Sequence, residues 1–189
     1  MKKNFLKGAA ASVIILSTVA FKTITKQLNV KASEVHWKGE KVTGSHQGTI
    51  NFSDGHLNVD GDKILGGEFV IDMSSINVTD LEGDYKQKLE GHLKSDDFFG
   101  VENHPTAKLV ITDASKKSGT TYGVVGDLTI KGKTQPITFD LNWEGDTATA
   151  NLSVDRTKYD VRYGSGSFFD NLGDKTIYDN FDLQVTLKF

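Results

Sequence analysis

From Glu34 to the C-terminus the chain alternates apolar and polar residues with a period of two. Phe181, Leu183, Val185, Leu187 and Phe189 fall on one side of an extended chain, and Asp182, Gln184, Thr186 and Lys188 on the other. Ile137, Phe139, Leu141 and Trp143 alternate with Thr138, Asp140 and Asn142, and Ala150, Leu152 and Val154 with Asn151, Ser153 and Asp155. Phe69, Ile71 and Met73, then Ala107, Leu109 and Ile111, then Val124, Leu128 and Ile130 continue the pattern. Successive side chains on a strand point to opposite faces, so each segment is half buried. One dry and one wet face per strand predicts an antiparallel sheet, because parallel strands read as unbroken apolar runs.

Turn-forming clusters separate these segments: Ser53-Asp54-Gly55, Asp60-Gly61-Asp62, Lys117-Ser118-Gly119, Lys131-Gly132-Lys133 and Glu144-Gly145-Asp146. They predict strands near 34–41, 46–53, 56–60, 63–73, 106–116, 120–131, 134–143, 147–155 and 180–189. Eight or nine strands in about 155 residues predict an all-β barrel or sandwich, and a closed barrel has no unpaired edge. Thr79-Asp80-Leu81-Glu82 departs from the pattern. It reads as a capping box with Thr79 as N-cap. Leu81, Tyr85, Leu89 and Leu93 follow at helical spacing, which predicts one short helix near 80–92 with a buried stripe. A second irregular stretch, Gly164–Asp179, holds the pair Phe168-Phe169.

Composition changes the picture at the N-terminus. The formal net charge of the 189 residues is -3, yet it divides unevenly. Residues 1–33 hold six lysines and no acid, so the remaining 16 basic residues face all 25 acidic ones and the body carries -9. A basic start followed by the uncharged run Gly8–Phe21 has the form of an export signal, too short for a membrane span. Two small-residue cleavage sites follow, Thr18-Val19-Ala20 and Val30-Lys31-Ala32. The expected organisation is a signal peptide and short linker over 1–33, cut near 20 or 32, and one domain over 34–189. The expected location is periplasmic or secreted. An acidic body argues against nucleic-acid binding, and the absence of cysteine excludes disulfides, thiolate metal sites and a lipidated N-terminal Cys.

Little else points to chemistry. No nucleophile elbow, phosphate loop or HExxH spacing is present. The five histidines are scattered, and only His46 and His56 are spaced to meet across a hairpin. No metal, no cofactor and no enzymatic activity are expected. Two adjacent aromatic pairs, Phe98-Phe99 and Phe168-Phe169, lie in connections between strands. They either plug the barrel ends or form an apolar mouth for a hydrophobic ligand.

Six stretches in order resemble the YceI-like family of polyisoprenoid-binding proteins. They are Trp37-Lys38-Gly39 with Gly44-Ser45-His46-Gln47-Gly48; Gly67-Glu68-Phe69-Val70-Ile71-Asp72 with Ser75-Ile76; Leu89-Glu90-Gly91-His92-Leu93-Lys94-Ser95-Asp96-Asp97-Phe98-Phe99; Pro105-Thr106-Ala107; Gly126-Asp127-Leu128-Thr129-Ile130-Lys131-Gly132-Lys133-Thr134; and Asp155-Arg156-Thr157 with Tyr159 and Tyr163. The resemblance covers nearly all of 34–189. Phe139-Asp140 and Tyr159 depart from a frequent Phe-Pro and Trp.

The resemblance implies an eight-stranded antiparallel, lipocalin-like β-barrel with a helix near one end. It also implies an apolar cavity for a long-chain isoprenoid or similar lipid, in an exported binding protein that transports, stores or sequesters it. On that basis Phe69, Ile71, Met73, Leu109, Ile111, Leu128, Phe139, Leu152 and Val154 are expected to line the cavity. Phe98, Phe99, Phe168 and Phe169 are expected at its mouth, and His92, Arg156 and Tyr163 at a polar head group. For Arg156 an ion pair with Asp155 or another acid is the equal alternative. Membrane contact would be transient and apolar, and the mouth is compatible with a homodimer. The rival reading is a ligand-free interaction or stress-response module whose barrel is filled by its own side chains.

Overall fold

The computed structural model describes residues 22–189. The basic and uncharged run over 1–21, where a signal peptide and one of the two candidate cuts are expected, lies outside the described residues. The described residues hold nine strands: β1 (Ile24–Gln27), β2 (Glu34–Lys41), β3 (Gly44–Asp60), β4 (Lys63–Val78), β5 (Thr106–Ser118), β6 (Thr121–Ile130), β7 (Lys133–Glu144), β8 (Thr147–Asp155) and β9 (Ile177–Lys188). Among the described residues one α-helix, α1 (Gly83–Lys94), lies between β4 and β5. From β2 to β9 each strand pairs antiparallel with its neighbour in sequence, and β9 returns to β2, where Val35 faces Val185 and Trp37 faces Leu183. The result is a closed eight-stranded antiparallel barrel with one short helix. The inward faces of its strands form the core.

Strand β1 stands outside the ring, paired with the second half of β3 (Ile24 opposite Val59). The chain then crosses beneath the barrel as a strap. Leu28 is buried and bonds through its N–H to the Gly55 carbonyl; the Asn29 N–H bonds to the Lys188 carbonyl. The buried Ser33 hydroxyl donates to the Asn29 carbonyl and accepts from the Lys188 N–H. Neither β1 nor the strap shows period-two alternation, so residues 24–33 join the fold where a mere linker was expected.

Ser53-Asp54-Gly55 does not turn the chain. β3 runs through it, and the pairing with β4 slips between Phe52 and Asp54, a bulge. Asp54 satisfies the Gly55 N–H locally at 2.7 Å, so residues that favour a turn here bend a continuous strand. A Cβ on Gly55 would lie 2.8 Å from the Phe69 ring and 3.0 Å from Leu28, so glycine admits both into one layer. His46 and His56 therefore lie along the same strand and do not face each other.

The helix also differs from expectation. It begins at Gly83, and its cap residue Glu82 makes no side-chain cap bond. Thr79 and Asp80 are committed to β3 instead: Thr79 bonds to the Gln47 carbonyl, and Asp80 accepts from His46 at 2.9 Å and from the Gln47 N–H at 3.2 Å. None of the helical residues is buried, and Tyr85 is 73% exposed. The helix rests on the rim through half-buried Leu89 and Leu93, with Glu90 accepting from the Val78 N–H. A rim helix touches the barrel along a narrow line, which is why Tyr85 faces water.

Candidate functional site

The barrel encloses a cavity with about 200 Å³ of room for the centres of water-sized groups. Its wall is almost entirely hydrocarbon, supplied by every strand from β2 to β9 because each contributes alternate side chains inward. Phe69, Ile71, Met73, Leu109, Ile111, Leu128, Phe139 and Leu152 are all in the wall. Val154 shares the inward face of β8 but is packed into the core at 2% exposure and does not reach the cavity. Trp37, Ile50, Phe52, Phe181, Leu183 and Val185 also line it, although they were not singled out in the sequence. The alternation of β9 already placed Phe181, Leu183 and Val185 on one face, and that signal alone could have found them.

The cavity opens where β2 ends and β9 begins. Gly39, Glu40, Arg156, Tyr178 and Asn180 form this end of the wall, and Tyr178 is 49% exposed. The opposite end is closed by rings. Phe69 packs edge-on against Phe52 and Phe189, with centroid separations of 6.3 and 6.5 Å. Beyond them Tyr122 and Trp143 lie 5.9 Å apart, their polar tips donating to the turn carbonyls of Asp62 and Gly145. Both polar tips are satisfied, so the end stays packed and dry.

Two segments shape the mouth. Residues 95–105 bring Phe98 and Phe99 into the wall, their rings 5.0 Å apart, and Phe99 meets Phe181 at 6.3 Å. The β6–β7 hairpin fixes this segment. Lys131 and Gly132 have φ of +49° and +69°, a tight turn matched to strand twist, and the Lys131 ammonium donates to the carbonyls of Asp96 and Phe98, both at 2.8 Å. Residues 156–176 form the other segment. Phe168 and Phe169 are 45% and 49% exposed and are not part of the wall, contrary to expectation. The Ser165 carbonyl accepts from both of their N–H groups in a tight turn that faces outward, and the Phe168 ring lies under the Arg162 guanidinium at 4.7 Å.

His92, Arg156 and Tyr163 come together around Phe98. The His92 ring lies 4.4 Å from that of Tyr163 and 5.7 Å from that of Phe98, and the Arg156 guanidinium lies 5.6 Å from the Phe98 ring. Of the three, only Arg156 lines the cavity. His92 Nε2 is buried without a hydrogen-bond partner among the described residues. Arg156 is 2% exposed and donates to three backbone carbonyls, those of Val161 (2.8 Å), Ile177 (3.0 Å) and Tyr178 (3.1 Å). Its nearest acid, Asp179, is 3.7 Å away, too far for a hydrogen bond. Of the two partners expected, Asp155 or another acid, it is the other acid that pairs with the guanidinium, and Asp155 caps the following turn through Thr157. Burial pushes the guanidinium pKa down, and Asp179 and Asp155 pull it partly back. Burial also tends to raise Asp179, but the Ser165 and Ser167 hydroxyls and Arg156 hold it below the ordinary carboxylate value.

Among the described residues no group of three His, Asp or Glu side chains converges to hold a metal ion. What the geometry offers a ligand is a dry blind channel with polar atoms at one end.

Residues 27–189 match the model of the YceI-like domain. A protein of Shewanella denitrificans named UPF0312 protein is 29% identical over 152 residues, 77% of this chain and 75% of that one. A UPF0312 protein of Pseudomonas putida is 30% identical over 113 residues, 59% and 57% of the two chains. Among solved structures, Burkholderia cenocepacia BcnA superposes with a TM-score of 0.69 at 23% identity, covering 85% of this chain and 98% of that one. A polyisoprenoid-binding domain from Saccharophagus degradans, described as implicated in plant cell wall breakdown, gives 0.58 at 14% identity over 88% and 97%.

Proposed function

The chain belongs to the YceI-like domain family, and from that premise we propose that it is a binding protein that holds the apolar chain of an isoprenoid or similar lipid inside its barrel. The carrying observation is the cavity: a hydrocarbon wall, a closed aromatic end, and polar groups confined to the mouth. A lipid tail gains about 0.8 kcal/mol per methylene buried in such a place, less the cost of ordering it. Arg156, Tyr178 and Asn180 are where a polar or anionic head would sit. A barrel filled by its own side chains, the ligand-free alternative, would have no such cavity. The reading is one of binding and not of catalysis. The polyisoprenoid-binding domain of Saccharophagus degradans supports the ligand class. The basic, then uncharged N-terminus supports export to the periplasm or the medium.

Solvent extraction of protein purified without detergent, followed by mass spectrometry, tests this reading. One lipid per chain is expected, with native spectra showing its mass on the folded protein. Empty protein that also fails to take up added prenyl alcohols or fatty acids would overturn it.

A further inference from the structure

We infer that the mouth of the barrel docks on a lipid bilayer: a collar of exposed side chains, led by Phe168 and Phe169, enters the membrane surface and brings the cavity opening to its lipid source. The inference rests on the binding reading above and adds the surface from which the ligand is taken. Nine large apolar side chains are exposed among the described residues. Five of them, Val42, Tyr163, Phe168, Phe169 and Tyr178, stand around this opening, each 45–49% exposed. Tyr178 is part of the cavity wall. The Ser167 hydroxyl donates to the Asp179 carboxylate, which seats the Phe168-Phe169 turn beside Tyr178. The Ile177 N–H bonds to the Gly164 carbonyl, and the Val42 N–H to that of Thr176. Tyr163 lies against His92, which packs on Phe98 of the wall.

The turn is built to hold its rings outward. The Ser165 carbonyl accepts from the N–H groups of Phe168 and Phe169, and the buried Ser165 hydroxyl accepts from that of Ser167. Three backbone donors at the tip are thus satisfied within the turn, so they need no water when the tip enters an apolar medium. The Arg162 guanidinium, 4.7 Å from the Phe168 ring, adds a cation at the level where aromatic and basic side chains meet lipid head groups. Charge permits the approach. Residues 156–178 hold four basic and three acidic side chains, so this end is nearly neutral on a body of -9. The rest of the acidic surface is repelled by anionic lipid. Area separates a bilayer from a second copy of the chain. Four half-exposed aromatic rings present roughly 300–500 Å², the size of a functional surface patch, against about 800 Å² per partner in a stable dimer.

The measurement is co-flotation of the protein with phosphatidylcholine vesicles at low and high salt. The wild type should float, and added salt should change the bound fraction less than about twofold, because apolar contact is not screened. The double variant Phe168→Ser, Phe169→Ser should lower the partition coefficient at least about tenfold. Its affinity for a fatty acid presented without vesicles should stay within about twofold of wild type, since neither ring is in the cavity wall. Leu65→Ser removes a side chain 46% exposed on β4, near the closed end, and should change neither quantity. Phe168→Trp serves if the double variant does not fold: its added emission should move to shorter wavelength when vesicles are present, and an unmoved emission would refute insertion. Undiminished flotation of the double variant, or an equal loss in Leu65→Ser, would overturn the collar. A wild-type dimer that the double variant dissociates would put a second copy on this surface in place of the membrane. Flotation by a protein whose cavity takes up no lipid would leave the docking and overturn the binding reading; a lipid-filled protein that never floats would do the reverse.

Discussion

Replacing Arg156 separates a structural clamp from a ligand contact. The guanidinium is buried and ties the turn after β8, through the Val161 carbonyl, to the first residues of β9, through those of Ile177 and Tyr178. Arg156→Met keeps the length of the stem but removes all three donors and the charge that faces Asp179. Hydrogen bonds to charged groups are worth about 1.5–3 kcal/mol each. Against their sum stands the several kcal/mol that burying a cation costs, which the variant recovers. The expected net loss is about 3–5 kcal/mol, the range for removing one member of a buried charged cluster. With a urea slope of about 2 kcal/mol/M, the unfolding midpoint should fall by roughly 1.5–2.5 M at unchanged slope. Arg156→Lys keeps a charge but not the planar fork, and should recover less than half of that loss. A midpoint for Arg156→Met within about 0.5 M of wild type would refute the clamp. If affinity for an anionic amphiphile fell in that same folded variant, the arginine would be a head-group contact alone.

Gly48→Ala should be among the most damaging single changes. A Cβ there would lie 2.0 Å from the Asn77 carbonyl oxygen and 2.6 Å from the Trp37 ring, so the β3–β4 ladder must part, whereas Gly39→Ala meets nothing within 4 Å. Thermal melts should show the first unfolded or more than about 3 kcal/mol weaker and the second near wild type; equal melting temperatures would contradict the packing described. Acid should weaken the fold through Asp80 and Asp179, both held below the ordinary carboxylate value of 3.8. In Asp80 the His46 and Gln47 donors outweigh burial. Because the folded pKa values are depressed, this stabilisation is full above the unfolded value near pH 4 and disappears as pH falls through the folded values. Urea midpoints from pH 7 to 3 should drop less steeply in an Asp80→Asn, Asp179→Asn double variant, and an unchanged slope would exclude both groups. A chain starting at Ser33 lacks β1 and the buried Leu28, and should be at least about 2 kcal/mol less stable than one starting at Phe21. On the export proposed above, N-terminal sequencing of the mature protein is expected to find a cut near Ala20; a stable product starting at Ser33 would contradict the structural role of the strap.

The barrel strands were legible because a wall with one dry face imposes alternation on each of them. Phe181, Leu183 and Val185 or Ile137 and Phe139 leave no second interpretation. The same logic placed eight wall residues and failed for Val154, because alternation tells which face a residue is on and not how deep it lies. Asp54-Gly55 misled because turns and bulges call on the same local chemistry, a short acceptor and a residue without Cβ. Tyr85 misled because helical spacing reports an apolar stripe even where only its flanks find a surface. Phe168 and Phe169 look like core in one dimension, and only the turn through Ser165 shows them facing outward. β1 is four residues held by ladder bonds to β3, and no pattern within Ile24–Gln27 announces them.

The ring is closed by the first and last of its eight strands, with Glu34 opposite Thr186 and Gly39 opposite Phe181. That seam joins positions about 150 residues apart, so its loop-closure entropy is among the largest in the chain and is met only after the hairpins between have formed. During synthesis, β2 therefore waits with one edge bare until the C-terminus is free. The strap adds a second late bond, since Asn29 and Ser33 close onto Lys188. The chain thus reaches its final shape in one terminal step. Until then it remains an unclosed ribbon; after it the β2 and β9 edges are covered, and the weakest seam left in the ring is that between β7 and β8, laddered only from Leu141–Glu144 to Thr147–Ala150.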